Sequence, residues 1–298
     1  MKRAEKSKFE KALEDGKFVV TCEIGPPKGT DTEEIKEAAE ILKGIADGIN
    51  VTDLQSSVMR LGSLTTCHFL KEWGLDPIFQ VTCRDRNRLA LQSDLISAYV
   101  MGIRNILALT GDYTTTGDHP QAKPVFDLDS VQLLWAIKNL EEGKDLAGNE
   151  LTQKPSFFKG AVVNPGADTE ASYELQIAKM KKKISHGAQF FQTQAIFDAE
   201  IFKKFMERIH KENIKVPVLA GIILLKSERM ANYMNKFVPG VFVPETIVKK
   251  MEQTKDKVSM CIEIASKLIE EVKPYCAGVH IQALGWEKHI PAVVKNLK

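Results

Sequence analysis

The feature that most constrains this 298-residue chain is a strict alternation of short apolar runs with longer amphipathic segments. Eight runs read as strands: 18–23, 48–52, 77–82, 105–110, 158–163, 190–194, 217–222 and 278–282. Between them, apolar residues recur at helical spacing in 31–46, 89–101, 130–142, 171–186, 200–211 and 258–272. The first of these aligns Ile35, Ala38, Ala39, Ile41, Leu42 and Ile45 on one stripe, behind a capping start of Asp31, Thr32, Glu33 and Glu34. Repeated strand–helix units predict a parallel sheet. Eight strands, most too apolar for a sheet edge, predict closure into a single-domain (β/α)8 barrel over residues 1–298. A charged N-terminal helix, 4–14, is placed to plug its bottom. The longest irregular segment is 112–127, rich in Thr, Gly, Asp and Pro, and loops of that length inside compact domains are usually functional.

Composition narrows the function classes. Forty-one basic and 39 acidic residues leave a net charge of +2, which gives no field for nucleic acid. The run Lys181, Lys182, Lys183 lies within an expected helix and reads first as a solvated face. No run approaches the ~20 apolar residues of a membrane helix, and the N-terminus lacks the apolar core of a signal peptide. The five cysteines, Cys22, Cys67, Cys83, Cys261 and Cys276, form no C-x-x-C pair. They suit small buried hydrophobes in a reducing, cytoplasmic setting, not a disulfide framework or an iron–sulfur cluster. There is no G-x-G-x-x-G, P-loop or H-E-x-x-H motif.

In a (β/α)8 barrel the chemistry sits at the C-terminal ends of the strands, and seven of the eight expected strands deliver polar groups there. They are Glu23; Thr52, Asp53, Gln55 and Ser56; Gln80, Thr82, Arg84 and Asp85; Thr110, Gly111 and Asp112; Asn164; Gln192 and Gln194; and His280 and Gln282. Each has a plainer reading. Thr52 and Thr82 can cap the following helices. Asp53 can pair with Arg60. Asp112 can close an Asx-turn. Gln194 can be a satisfied core amide and His280 a hydrogen-bonded core histidine. Cys22 neighbours Glu23, but adjacent strand residues point to opposite faces, so it is a weak candidate nucleophile. Placement on one rim is what gives the set weight.

The stretches TCEIGPPKG (21–29), NVTD (50–53), QVTCRDRNRLALQSDL (80–95), GIRNILALTGD (102–112), GAQFFQTQAIFD (187–198) and GVHIQALGWE (278–287) resemble the methylenetetrahydrofolate reductase family, in family order and almost end to end. The resemblance implies a (β/α)8 barrel with non-covalent FAD, or alternatively FMN, at the C-terminal rim. It also implies reduction of 5,10-methylenetetrahydrofolate to 5-methyltetrahydrofolate by NADH or NADPH, in a ping-pong sequence through flavin N5. Glu23 stands where the family has the general acid that protonates N10 of the folate. A partly desolvated carboxyl suits that task. Asp112 matches the acid that contacts the pterin near the flavin, where a carboxylate lowers the flavin potential. Gln194 matches the amide that binds the folate and contacts the nicotinamide. Thr52, Gln55, Gln80, Thr110, Gly111, Asn164 and Ala167 match flavin-contacting positions, and Lys183 a basic residue near the cofactor's phosphates.

The chain departs from one branch of the family, which has His at Gln80, Tyr at Asp53, an aromatic before Val162, Val163 and Asn164, and an acid at Gln176 (Glu174 lies nearby). The barrel takes up the whole chain, so neither a regulatory domain nor adenosylmethionine control is expected. The partners implied are the folate and the nicotinamide, with a homo-oligomer or a partner subunit. Three rival readings are a flavin and folate subunit fed electrons by another protein, a flavin-free barrel transferring methyl groups from folate to a corrinoid, and a non-catalytic paralogue.

Overall fold

Eight parallel strands close into a barrel in chain order, β1 through β8: β1 (Val19–Ile24), β2 (Gly48–Val51), β3 (Pro77–Thr82), β4 (Asn105–Leu109), β5 (Phe158–Val163), β6 (Phe190–Ala195), β7 (Val218–Ile223) and β8 (Gly278–Gln282). The structure is a computed structural model and describes residues 6–167, 169–238 and 240–297. Closure is made by β1 against β8, in register from Val19 opposite Gly278 to Cys22 opposite Ile281.

The helices are α1 (Lys8–Glu14), α2 (Glu33–Leu42), α3 (Ser63–Glu72), α4 (Arg88–Val100), α5 (Ser130–Glu142), α6 (Glu170–Ser185), α7 (Ala199–Lys211), α8 (Glu228–Phe237), α9 (Glu245–Gln253), α10 (Lys257–Val272) and α11 (Ile290–Val293). Their starts follow from local chemistry. Asp129 and Gln132 form a reciprocal capping box at α5, and Asp198 accepts from the first amides of α7. Six match the expected segments, although α2 is shorter than 31–46. The expected plug helix is α1, and residues 4 and 5 of its expected span lie outside the described residues. Helices α3, α8, α9 and α11 have no counterpart in the sequence reading. The buried face of α3 is Ser63, Thr66, Cys67 and Leu70, and that of α8 only Ala231 and Met234. The α3 face writes no hydrophobic stripe, whereas α8 is amphipathic, with Met230 and Val238 packed beside Ala231 and Met234.

Strand alternation separates two cores. Outward residues, among them Cys22, Ile49, Val51, Phe79, Val81, Ile106, Phe191, Val218 and Ile281, pack against the helices. Inward residues Val19, Ile78, Leu107, Phe158, Phe190 and Leu219 fill the lower lumen around Phe9 of α1. Phe9 meets Phe158 and Phe190 edge-on, with ring centroids 5.6 and 5.1 Å away. The plug is pinned by Ser7 Oγ donating to Asn105 Oδ1 (2.6 Å) and by the Phe9 amide donating to Asp76 (2.9 Å). No helix among the described residues is long and apolar enough to cross a membrane. All five cysteines are free.

Candidate active site at the upper rim of the barrel

Above the plug, lumen-facing positions turn polar. The middle layer is Thr21, Asn50, Gln192 and His280, all buried. Asn50 and Gln192 exchange amide hydrogen bonds (2.8 and 3.0 Å), and Gln192 Nε2 also donates to Thr21 Oγ1 (3.2 Å). The satisfied core amide of β6 is therefore Gln192. Gln194, two residues on, is exposed at the rim. The β6–β7 register shifts between Gln192 and Ala195, and Thr193 Oγ1 accepts the Gly221 amide (2.9 Å). Irregularities of this kind re-aim side chains at barrel rims.

Glu23 rises from β1 into the next layer and is 7% exposed. Gln55 Nε2 donates to its Oε1 and Gln80 Nε2 to its Oε2, each at 3.4 Å. His280 Nε2 lies 3.7 Å from Oε2. Glu23 thus has two uncharged amides and an imidazole around it. Cys22 faces the outer core, as strand alternation requires, and burial holds its thiol protonated, far above the ordinary range.

Thr52 does not cap a helix. Its hydroxyl is buried and has no hydrogen-bond partner among the described residues. Thr82 is not a cap either: its amide and its hydroxyl both donate to Asp53 Oδ2 at 2.8 Å. Asp53 does not pair with Arg60. It accepts from Ser63 Oγ (3.2 Å) and forms an ion pair with Arg86, while Arg60 donates to the Pro26 carbonyl (3.1 Å). Asp53 therefore ties β2 to β3 and faces away from the lumen.

Two rim loops interlock. Leu54, Ser56 and Ser57 all adopt positive φ (48°, 55° and 59°), a costly run for residues with side chains that persists only when neighbours enforce it. Arg84, 1% exposed, supplies part of that restraint. Its guanidinium donates to the Leu54 carbonyl (3.2 Å), the Asp112 carbonyl (3.3 Å) and the Asp85 carboxylate (2.7 Å). A Cβ on Gly117 would lie 1.8 Å from the Ser57 carbonyl oxygen, so only glycine lets the loops meet. Asp118 joins them to the β1 loop through Lys28 and the Met59 amide, and the Lys28 ammonium holds its carboxyl far below the usual range.

The Asp112 side chain is exposed and has no hydrogen-bond partner among the described residues, so it closes no Asx-turn. Gly111 beside it has φ +93°, and a Cβ there would press on Arg84 and Thr82 Cβ at 3.1 and 3.2 Å. Thr110 Oγ1 accepts the Ser130 amide (3.2 Å), fixing the start of α5. Asn164 is half-buried; its side-chain Oδ1 accepts the Gly166 backbone amide (2.9 Å), while its backbone amide donates to Gln176 Oε1 (3.3 Å). Ala167 is half-buried on the same loop.

Lys183 departs from its neighbours. Lys181 and Lys182 are solvated, but Lys183 is buried and donates to the Val162 carbonyl (2.7 Å). Burial, aided by the Lys179 charge, pushes its ammonium down to about 8, against a weaker opposing pull from Asp129. No carboxylate among the described residues forms an ion pair with it.

The rim thus gathers Glu23, Gln55, Gln80 and His280 into contact, with Thr52 alongside. Asp112 and Gln194 stand exposed above, and Asn164, Ala167 and Lys183 lie on the β5–α6 side. Sequence reasoning passed over Thr21, placed Arg84 on the rim without a role, and undervalued His280. Thr21 and His280 sit opposite each other in the β1–β8 register, a pairing that strand parity could have flagged. No group of three or more His, Cys, Asp or Glu among the described residues is placed to hold a metal.

The family model for methylenetetrahydrofolate reductase matches residues 8–298. A Caenorhabditis elegans protein named probable methylenetetrahydrofolate reductase (NADPH) is 23% identical over 97% of this chain and 44% of its own length. An Arabidopsis thaliana methylenetetrahydrofolate reductase (NADH) is 22% identical over 97% of this chain and 50% of its own. The chain thus spans about half the length of these relatives. A Pectobacterium carotovorum 5,10-methylenetetrahydrofolate reductase is 26% identical over 75% of this chain and 71% of its own. Among solved structures, an uncharacterized Clostridium thermocellum protein, described as binding two copies of 5-methyl-5,6,7,8-tetrahydrofolic acid, superposes with a TM-score of 0.64 at 18% identity over 98% of both chains. With a family match over nearly every residue and a rim built on the expected strand ends, this chain belongs to the methylenetetrahydrofolate reductase family.

Proposed function

We propose that this chain reduces 5,10-methylenetetrahydrofolate to 5-methyltetrahydrofolate at the barrel rim, using FAD (FMN being the alternative) and a reduced nicotinamide. The observation that carries the reading is Glu23: a buried carboxyl at the tip of β1, contacted by two amides and an imidazole, in a chain of this family. As the general acid it would deliver a proton to N10 of the folate, opening the five-membered ring. The folate-binding description of the Clostridium thermocellum neighbour supports the substrate class.

The residues fit a flavin. The Thr52 hydroxyl is a buried polar group lacking a partner among the described residues, and buried polar groups ordinarily have one. Lys183 is a buried cation with no ion-paired carboxylate among the described residues, suited to the cofactor's phosphates. Gly111, at φ +93° against Arg84 and Thr82, lets the β4 loop turn closely beside the rim. Gln55, Gln80, Thr110, Asn164 and Ala167 would complete the contacts. When bound, a flavin supplies hydride chemistry, accepting from the nicotinamide and donating to the methylene carbon of the folate in turn, in a ping-pong sequence. Asp112, exposed beside Gly111, brings negative charge that favours hydride donation. Gln194 offers donor and acceptor together at the rim, as a pterin edge and a carboxamide both require. Preorganised positioning does the remainder.

The exposed apolar stripe Leu89, Ile96 and Val100 on α4, with Trp135 on the neighbouring α5, favours an assembled state, either a second copy or a partner subunit supplying electrons. Light scattering of the purified 33.3 kDa chain separates a self-assembled protein from a monomer awaiting a partner.

The test is an absorbance spectrum of purified protein under anaerobic NADH or NADPH, then methylenetetrahydrofolate. The proposal expects a yellow protein whose flavin band bleaches and returns. Folate-driven return without bleaching by either nicotinamide assigns electron delivery to a partner. A protein that stays colourless after FAD or FMN is added overturns the reductase reading.

A further inference from the structure

We infer that His280 holds the proton for Glu23, so that the acid at the rim is a Glu23–His280 pair and not a single carboxyl. This rests on the proposed folate-reducing role of the rim and adds a residue to it.

Among the lumen-facing positions of the eight strands, Glu23 and His280 alone are titratable. His280 is 3% exposed. Its Nδ1 lies 3.1 Å from Thr21 Oγ1, and its Nε2 lies 3.7 Å from Glu23 Oε2. The Thr21 hydroxyl also reaches the Val279 carbonyl (3.3 Å) and accepts from Gln192 Nε2 (3.2 Å). When its hydrogen goes to Val279, its remaining lone pair accepts from Nδ1–H and Nε2 presents a bare lone pair to Glu23; we assign that tautomer.

Two unshared pairs facing each other in a water-poor lumen repel, so the pair retains one proton between them, on Oε2 or on Nε2. A proton shared in this way is positioned for transfer, as a general acid requires. In turnover the Oε2–H bond breaks as N–H forms on N10 of the folate. Carboxylate and imidazole lone pair are left face to face, and their repulsion draws the next proton from solvent. The 3.7 Å gap is within the looseness seen before substrate closes a site.

The other groups around the pair are neutral or turned away. Gln55 and Gln80 contact Glu23, and Asn50 and Gln192 bind each other. Asp53 is neutralised by Arg86, and Asp112 is exposed on the rim loop.

The experiment compares His280→Asn, which keeps an N–H for Thr21 but removes Nε2, with wild type and Glu23→Gln. Flavin reduction by nicotinamide and reoxidation by methylenetetrahydrofolate are followed separately across pH. His280→Asn is expected to slow reoxidation about 10- to 100-fold at neutral pH, with the loss shrinking as pH falls, and to leave reduction unchanged. A reoxidation profile superimposable on wild type overturns the inference, provided Glu23→Gln abolishes that step. If Glu23→Gln leaves it intact, the underlying reading of the rim fails instead. Should His280→Asn not fold, histidine-labelled wild type and Glu23→Gln are titrated by NMR. The most solvent-protected of the six imidazoles is expected to follow a displaced curve in Glu23→Gln. Coincident curves overturn the inference.

Discussion

The lower and upper halves of the barrel lumen are built from the same eight strands on opposite principles. Below, Phe9, Phe158 and Phe190 interlock with Val19, Ile78, Leu107 and Leu219, and polar groups enter only where Ser7, Asn105 and Asp76 pin the plug. Above, the lumen carries an unpartnered hydroxyl at Thr52 and long 3.4 Å contacts to Glu23, with a buried cation at Lys183 on the β5–α6 side. The lower half gains from burial and close packing. The upper half leaves polar groups incompletely satisfied, at a cost a ligand can offset. Strand direction separates the two in five strands, where the inward rows of β1, β2, β3, β6 and β8 turn polar toward their C-terminal ends (Thr21 and Glu23, Asn50 and Thr52, Gln80 and Thr82, Gln192 and Gln194, His280 and Gln282).

The sharpest way to break this comparison is in the packed half. Phe190→Ala empties the ring position against Phe9 and Phe158 and should cost about 3–5 kcal/mol, read by urea denaturation. The folded fraction should keep the rim's spectral behaviour. A loss confined to rim chemistry would show that the halves are not separate.

Lys183 tests the upper half next. Its ammonium is held down to about 8, against 10.5 for an unperturbed lysine. Below pH 8 the folded protein carries a charge it holds poorly. Between about 8 and 10.5 the unfolded chain binds the extra proton, so stability rises with pH through that window. Lys183→Met removes the penalty, and the ligand-free protein should gain on the order of 3 kcal/mol at pH 7, a gain that fades by pH 10.5. Flavin retention should fall in the same variant. A destabilised apo-protein would mean that Lys183 is structural.

The smallest effect belongs to Thr52→Val. Replacing the unpartnered hydroxyl should stabilise apo-protein by about 1 kcal/mol and weaken flavin binding, so thermal shifts with and without flavin should move in opposite directions. A loss in both states would mean that the hydroxyl has a structural partner.

The barrel was legible because burial on both faces writes strands as continuous apolar runs. Strand ends fell within a residue of expectation, and α5 matched its predicted span. Helix α3 was hidden because tertiary packing, not a stripe of large apolar residues, holds it, whereas the amphipathic stripe of α8 was in the sequence and passed over. The rim's chemistry was readable as a collection of polar strand ends. Its pairings were not: Asp53 chooses Arg86 over Arg60 only once α4 is in place, and Lys183 differs from Lys182 only by the face of α6 it occupies. The roles of Glu23, Asp112 and Gln194 came from resemblance, and the geometry adds the contacts that make Glu23 testable.

The central claim is that Glu23 serves the folate and not the nicotinamide. Anaerobic stopped-flow spectroscopy of Glu23→Gln tests it most directly. The account predicts that nicotinamide bleaches the flavin at the wild-type rate, while reoxidation by methylenetetrahydrofolate slows by about 10²- to 10⁴-fold. Equal loss in both half-reactions, or none in the second, would contradict it.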